Sequence, residues 1–202
     1  MTNREGLKPK MIWRALTNWY LWPLYLIGIL FGLPAGPVQQ YLTLSLKQLG
    51  FSTLLTQVLS SVQYIASVFT GIAIVVAGEL LEERVLVCMG EDLWCLPFLI
   101  AILGQGTNVS PWTYYGLATG LLSNPYVHPI QASLVSANSG DVQTRTVAAS
   151  IYNICVQAGA IIYSNIYQAS DAPRYVKGNV ALVAICCLNV SSHQSSAFRS
   201  AD

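Results

Sequence analysis

Residues 15–46 have the sequence ALTNWYLWPLYLIGILFGLPAGPVQQYLTLSL, which contains no charged side chain. A transmembrane α-helix needs about 20 consecutive, mostly apolar residues to cross the hydrocarbon core of a bilayer. A second uncharged stretch, residues 48–78, follows directly after Lys47. Two adjacent stretches of this length predict two successive membrane helices joined by a short polar turn.

The composition of the whole chain agrees with this interpretation. Of the 202 residues, 53% are apolar and only 9% are charged, and the mean hydropathy is +0.50. An ordinary soluble domain carries about 25% charged residues, which it needs to cover its surface. The net charge of +1 provides no basic surface for nucleic acid. The composition therefore indicates an integral membrane protein and excludes a nucleic-acid-binding domain.

Charge-free segments divide the rest of the chain in the same way. The predicted fold class is an all-α membrane protein with about six transmembrane helices. We expect a cytosolic N-terminal segment over residues 1–17 and a polar C-terminal tail over residues 191–202. The approximate spans between them are 18–45, 55–78, 85–104, 112–134, 146–168 and 178–190.

Two of these spans are weaker than the others. The segment 85–104 contains Glu91 and Asp92, and one carboxylate near the bilayer centre costs upward of about 2.5 kcal/mol. We expect this helix to enter the bilayer late, to tilt, or to hide its carboxylates against protein. In the segment 178–190 the apolar character ends at Asn189.

Basic residues indicate the orientation of the chain, because cytosolic loops are enriched in Lys and Arg. Alternating the six spans places more of them on the side of the N-terminus than on the opposite side. The first group is Arg4, Lys8, Lys10, Arg14, Arg84, Arg145 and Arg199; the second is Lys47, Arg174 and Lys177. The pattern predicts a cytosolic N-terminus, with the C-terminus on the same side.

Glycine and proline are frequent inside the first and fourth spans. Small residues let helices approach closely, and prolines bend them. Transporters use such broken helices around a central site, although kinks without a gating role also occur. The residues are Gly28, Gly32, Pro34, Gly36 and Pro37 in the first span and Gly116, Gly120, Pro125 and Pro129 in the fourth.

Polar side chains within the spans are the candidate substrate-binding residues, because such groups are unfavourable in contact with hydrocarbon. Asn153 and Gln157 are four residues apart and share a helix face. The alternative is that these amides only hydrogen-bond neighbouring helices. The candidates are Gln39, Gln63, Asn124, Asn153 and Gln157.

No constellation of residues supports an enzyme. His128 could relay a proton, but no acid in the well-defined spans pairs with it, and a packed histidine is the simpler interpretation. No Ser/His/Asp set, HExxH, P-loop or Gly-rich dinucleotide motif occurs. We expect no catalytic residues, no metal site and no cofactor.

The second half of the chain carries a motif. It combines Asn138 and Arg145 with the pattern Asp-x-Pro-x-Tyr-x-x-Gly, formed by Asp171, Pro173, Tyr175 and Gly178. Upstream, residues 49–52 have the sequence LGFS. These features resemble the fungal allantoate permease-like branch of the major facilitator superfamily, the anion:cation symporters, over roughly residues 15 to 185.

The resemblance implies that the six spans correspond to helices seven to twelve of a twelve-helix transporter. In such proteins the substrate lies between two six-helix halves near the midplane of the membrane. The implied function is transport of small organic anions across the plasma membrane, by symport, with the motif residues in a structural role. The implied partners are membrane lipid, the anion and a complementary N-terminal half, without which we expect little activity. The alternative is a non-transporting remnant of a split or truncated transporter gene.

Overall fold

The computed structural model describes residues 9–81, 84–106, 110–140, 142–171 and 175–200, and within these ranges it contains helices but no β-strand. This confirms the predicted all-α fold class. Short 3₁₀ turns lie at Trp19–Leu21 and Ala169–Asp171. The α-helices are α1 (Pro9–Thr17), α2 (Trp22–Leu30), α3 (Gly36–Gln48), α4 (Thr53–Leu81), α5 (Arg84–Gly104), α6 (Pro111–Leu122), α7 (His128–Ala137), α8 (Val142–Tyr163) and α9 (Val176–Ser200).

Within the described ranges, three helical segments are long and apolar enough to cross a membrane: Thr53–Leu81, Val87–Gly104 and Thr144–Tyr163. They belong to α4, α5 and α8. The first and fourth predicted spans are instead each divided into two shorter helices, α2 with α3 and α6 with α7. Gly32 and Pro34 lie in the first interruption and Pro125 lies in the second, whereas Gly28, Gly116 and Gly120 lie inside helices.

The first break separates α2 from α3 at residues 31–35. Pro34 cannot donate a backbone hydrogen bond, and Gly32 has φ +70°, a conformation that a side chain would strain. The Gly36 N–H donates to the Gly32 carbonyl at 2.7 Å and closes the turn. Leu33 is buried. The break is therefore a packed, hydrogen-bonded turn.

The second break separates α6 from α7 and contains Pro125. The last carbonyls of a helix have no partner within it, and in a membrane protein such groups must find partners in neighbouring segments. Two side chains of α4 provide them. The Ser67 hydroxyl is shared between the Leu122 carbonyl at 2.9 Å and the Gln63 carbonyl of its own helix at 2.8 Å, and the Thr70 hydroxyl donates to the Ser123 carbonyl at 2.8 Å.

Helix α2 packs closely on α8 because two glycines remove side chains from the contact. A Cβ on Gly159 would lie 2.2 Å from the carbonyl oxygen of Ile29. A Cβ on Gly28 would lie 2.9 Å from the ring of Tyr152. Small residues at such crossings let backbones approach. This contact fixes α2, and with it the first break, against α8.

Helix α5 packs along α9, and a polar cluster joins them. Asn189 Nδ2 donates to Asp92 Oδ1 at 2.9 Å, and the Cys186 thiol donates to the Asp92 carbonyl at 3.2 Å. His193 Nε2 lies 3.8 Å from Asp92 Oδ2. Asp92 and Glu91 are both buried. Of the three ways in which α5 could accommodate its carboxylates, the structure shows burial against protein.

Helix α9 continues to Ser200, past residue 190, where the sequence places the end of the span. The helix crosses part of the predicted polar tail because backbone hydrogen bonding does not require apolar side chains. Asn189 and His193 are four residues apart and both face Asp92. Polar residues at this end of α9 therefore serve the contact with α5.

The second part of the motif lies around the start of α9. Asp171 Oδ2 accepts a hydrogen bond from the Gly178 N–H at 3.1 Å, in the first turn of α9. Tyr175, at φ +47°, stacks on Tyr167 with 4.4 Å between ring centroids. A Cβ on Gly178 would lie 2.6 Å from the ring of Tyr167. Pro173 lies outside the described residues.

The other two motif residues lie at the connection between α7 and α8. Asn138 Nδ2 donates to the Leu134 carbonyl at 2.8 Å and so caps the C-terminus of α7. Gly140, at φ +70°, turns the chain toward α8. Arg145 is exposed in the first turn of α8.

Candidate functional site

A cavity of about 200 Å³ lies where the two helix breaks approach α5 and α8. Each break contributes residues to its wall, and so do the first turn of α3 and the C-terminal half of α8. The lining residues are Phe31, Gly32, Ala35, Gly36, Gln39, Glu91, Leu122, Asn124, Tyr126, Val156, Gln157, Ala160 and Tyr163.

Aromatic contacts hold the two breaks together. The ring of Phe31 lies edge-on to Tyr126 at 5.8 Å and to His128 at 5.1 Å, measured between centroids. His128 in turn contacts Tyr152 of α8 at 5.5 Å. Such pairs stabilise by about 0.5–1.5 kcal/mol beyond the area they bury. The structure therefore places His128 among aromatic rings beside the cavity and outside its wall.

Three of the five candidate substrate-binding residues meet in this cavity: Gln39, Asn124 and Gln157. Asn124 Nδ2 also donates a weak hydrogen bond to Cys95 Sγ at 3.4 Å, which orients its amide. Gln39 and Gln157 are exposed, so the cavity opens to the surface of the chain on their side. Residues far apart in the sequence thus form one polar surface.

The other two candidates lie elsewhere. Gln63 is buried on α4, and its Oε1 has no hydrogen-bond partner in the part of the chain that the structure describes. Asn153 is exposed on α8, about 6 Å along the helix axis from Gln157. The sequence predicted that Asn153 and Gln157 share a face, but only Gln157 lines the cavity.

Glu91 is a lining residue that the sequence analysis did not select as a binding residue. It is 7% exposed, and its Oε2 has no hydrogen-bond partner among the described residues. An ionisable residue within a membrane segment is itself a signal of function. The sequence already contained this signal, because Glu91 makes insertion of the segment 85–104 into a bilayer unfavourable.

The cavity wall is polar and aromatic, and among its lining residues there is no Lys, Arg or His. Its volume corresponds to roughly seven water molecules and falls below the 300–1,000 Å³ typical of complete ligand pockets. The amides can both donate and accept hydrogen bonds. This surface can bind one side of a small polar molecule.

Two transporters of Saccharomyces cerevisiae (strain ATCC 204508 / S288c), both described as uncharacterized, are similar to the chain. YIL166C is 38% identical over 192 residues, which cover 94% of this chain and 35% of YIL166C. YOL162W is 37% identical over 160 residues, which cover 79% of this chain and 74% of YOL162W. The chain thus spans about a third of the length of YIL166C. No protein-family model matches the chain, and no solved structure matches it. The chain belongs to the family of transporters that includes YIL166C and YOL162W.

Proposed function

We propose that the chain forms a six-helix half of a transporter for small organic anions, equivalent to the C-terminal half of a major facilitator. The observation that carries this proposal is the cavity between the two helix breaks, where Gln39, Asn124 and Gln157 converge. Broken helices around a polar site are the arrangement that transporters use for alternating access.

The start of α3 supports an anionic solute. Ala35 and Gly36, where α3 begins, line the cavity. The N-terminus of a helix carries a partial positive charge that favours an anion. At α3 the Gly36 N–H is already bonded to the Gly32 carbonyl and Pro37 has no N–H, so the contribution is this partial charge. A carboxylate bound there also has Gln39, one turn along α3, as an amide donor. The partial charge of the helix start and the Gln39 amide are thus the groups that we propose to meet an anion.

The open side of the same cavity supports the proposal that a second protein segment is needed. Gln39 and Gln157 are exposed at its open side, so one wall of a closed site has to come from another segment. We propose that a complementary six-helix half supplies that wall and that this chain alone transports little. Residence in the plasma membrane and symport with protons are further parts of the proposal that rest on the family resemblance.

The test is uptake of radiolabelled small carboxylates and allantoate by yeast that lacks both related transporters. The chain is expressed alone and together with the part of YIL166C that lies outside the matched segment. We expect saturable uptake only with the partner. Uptake by the chain alone would contradict the need for a partner. No uptake in any combination, with rapid degradation of the chain, would favour the non-transporting remnant.

A matched pair of variants on α8 tests whether any uptake depends on the cavity. Gln157→Leu removes an amide from the wall, whereas Asn153→Leu makes the same change one turn away on an exposed surface. One lost hydrogen bond costs about 0.5–1.5 kcal/mol. We therefore expect KM to rise by up to about tenfold for Gln157→Leu. Asn153→Leu should leave KM unchanged, and equal effects of both variants would place the solute elsewhere.

A further inference from the structure

Two adjacent carboxylates of α5 have different surroundings. Asp92, 2% exposed, accepts a hydrogen bond from Asn189 and lies near Cys186 and His193 of α9. Glu91, 7% exposed, lines the cavity, and its Oε2 has no partner among the described residues. An unpaired carboxyl oxygen in a buried position is unfavourable unless another molecule completes its hydrogen bonds.

The cavity wall offers Glu91 no cation. Its other polar lining side chains are the amides Gln39, Asn124 and Gln157 and the phenols of Tyr126 and Tyr163. A positively charged group in the solute would supply the charged N–H donor that the wall lacks. Charge-assisted hydrogen bonds between N–H donors and carboxylates are about twice as strong as neutral ones.

We infer that Glu91 binds a basic nitrogen of the transported solute, an ammonium or a guanidinium group. This inference rests on the proposed function, because it takes the cavity as the solute site. The solute class then narrows to small organic acids that also carry a basic nitrogen. The start of α3 receives the carboxylate, and Glu91 of α5 receives the nitrogen.

Aromatic rings in the wall fit the same ligand. Phe31, Tyr126 and Tyr163 line the cavity together with Glu91. A cation within about 6 Å of an aromatic ring centroid is attracted by the ring, by about 0.5–2 kcal/mol depending on desolvation. A neutral alkyl group would gain apolar contact with these rings but would leave the Oε2 of Glu91 without a partner. The wall therefore discriminates between a nitrogen and a methyl group at this end of the solute.

The experiment measures binding by the full chain, purified and reconstituted into lipid nanodiscs. The probes are radiolabelled 5-aminopentanoate and hexanoate, which have the same number of heavy atoms and differ only by an ammonium in place of a methyl group. We expect the wild-type chain to bind 5-aminopentanoate more tightly. Glu91→Gln should weaken that binding by about tenfold or more and leave hexanoate binding unchanged or improved.

Two further variants control the experiment. Glu91→Asp keeps the charge on a shorter side chain and should retain the preference for 5-aminopentanoate in weakened form. Glu79→Gln removes an exposed carboxylate near the end of α4, outside the cavity wall, and should bind both probes as the wild type does. Elution as a single species in detergent shows that each variant is folded.

The inference is overturned if Glu91→Gln leaves both affinities unchanged or weakens both equally, as a structural residue or a proton carrier would. It is also overturned if the wild-type chain binds neither probe or prefers hexanoate. Preferential binding of the amine that Glu91→Gln abolishes supports the inference even if no uptake occurs, in which case only the proposed transport fails. Uptake without selectivity for the amine leaves transport standing and rejects the inference.

Discussion

Glu91 and Asp92 differ by one position in α5, yet the helix turns by about 100° between them, and that rotation decides what each side chain meets. Asp92 faces α9 and finds Asn189 at 2.9 Å. Glu91 faces the cavity and finds no partner for its Oε2 among the described residues. A sequence shows that both residues are acidic. It does not show which of them a neighbouring helix satisfies.

The first prediction concerns the stability of these two positions. Asp92→Ala leaves the Asn189 amide of α9 without its acceptor, so we expect the free energy of unfolding to fall by about 1–3 kcal/mol. Glu91→Gln replaces a buried carboxyl group, whose Oε2 has no partner among the described residues, with an amide of similar size, and it should leave stability equal or raised, as substitutions at functional positions commonly do. Thermal unfolding in detergent measures both. Equal losses would contradict the assignment of one residue to structure and the other to the site.

A second prediction at the residue scale uses the close approach of α2 and α8. A Cβ on Gly159 would lie 2.2 Å from the carbonyl oxygen of Ile29, and backbone cannot yield as a flexible side chain does. Gly159→Ala should therefore destabilise by about 1–3 kcal/mol and lower the unfolding temperature by about 5 °C.

The matched control is Gly116→Ala in α6, where an added Cβ would meet nothing within 4 Å. Alanine is favoured over glycine in a helix by up to about 1 kcal/mol. We expect the unfolding temperature of this variant to stay the same or rise. A loss as large as that of Gly159→Ala would show that helix contact is not the cause.

At the scale of elements, local sequence predicts the helical segments, but it predicts only part of what forms their interruptions. Uncharged stretches predicted the helical segments, and glycine and proline predicted bending in the first and fourth. The partners that satisfy the second break were not predictable. Ser67 and Thr70 lie more than 50 residues before the carbonyls of the second break. Local sequence predicts only the acceptors that these hydroxyls also have within their own helix.

The third prediction concerns this second break. The double variant Ser67→Ala, Thr70→Ala removes two hydroxyl donors from the carbonyls of Leu122 and Ser123. We expect faster hydrogen exchange at residues 123–127, because the break then loses about 0.5–1.5 kcal/mol per hydrogen bond.

The control for the break is Ser61→Ala, whose hydroxyl donates only to the Gln57 carbonyl of its own helix among the described hydrogen bonds. It should leave exchange at residues 123–127 unchanged. Unchanged exchange in the double variant would mean that the break is held by other contacts, such as the aromatic contact between Phe31 and Tyr126.

At the scale of the whole molecule, the candidate site depends on long-range packing. Gln39, Asn124 and Gln157 belong to α3, the second break and α8, and they meet only because both breaks turn toward the same side of α8. Their residue types were predictable from the cost of polar groups in lipid. Their convergence was not, and neither was the exclusion of Asn153, because the rotation of α8 is fixed by Gly159 and Tyr152 against α2.

The orientation of the whole chain gives the last prediction, that both termini lie in the cytosol. Helix α1, with Arg14, packs against α8, which begins near the exposed Arg145. Lys47 lies in the last turn of α3 and Lys177 in the first turn of α9, and Tyr41, in the middle of α3, contacts Tyr175 directly before α9 at 5.6 Å between centroids. We expect Arg14 and Arg145 to lie on one side of the membrane and Lys47 and Lys177 on the other. The count of Lys and Arg over the sequence then predicts that the side of the termini is the cytosolic one.

A split fluorescent protein measures this orientation. Its small fragment is fused to either terminus, or inserted after Leu49 in the exposed turn between α3 and α4 as the control, and its large fragment is expressed in the cytosol. We expect fluorescence from both terminal fusions and none from the insertion, because a membrane separates them from the turn. Fluorescence from the insertion alone would reverse the orientation, and fluorescence from one terminus alone would mean that an odd number of segments cross the membrane.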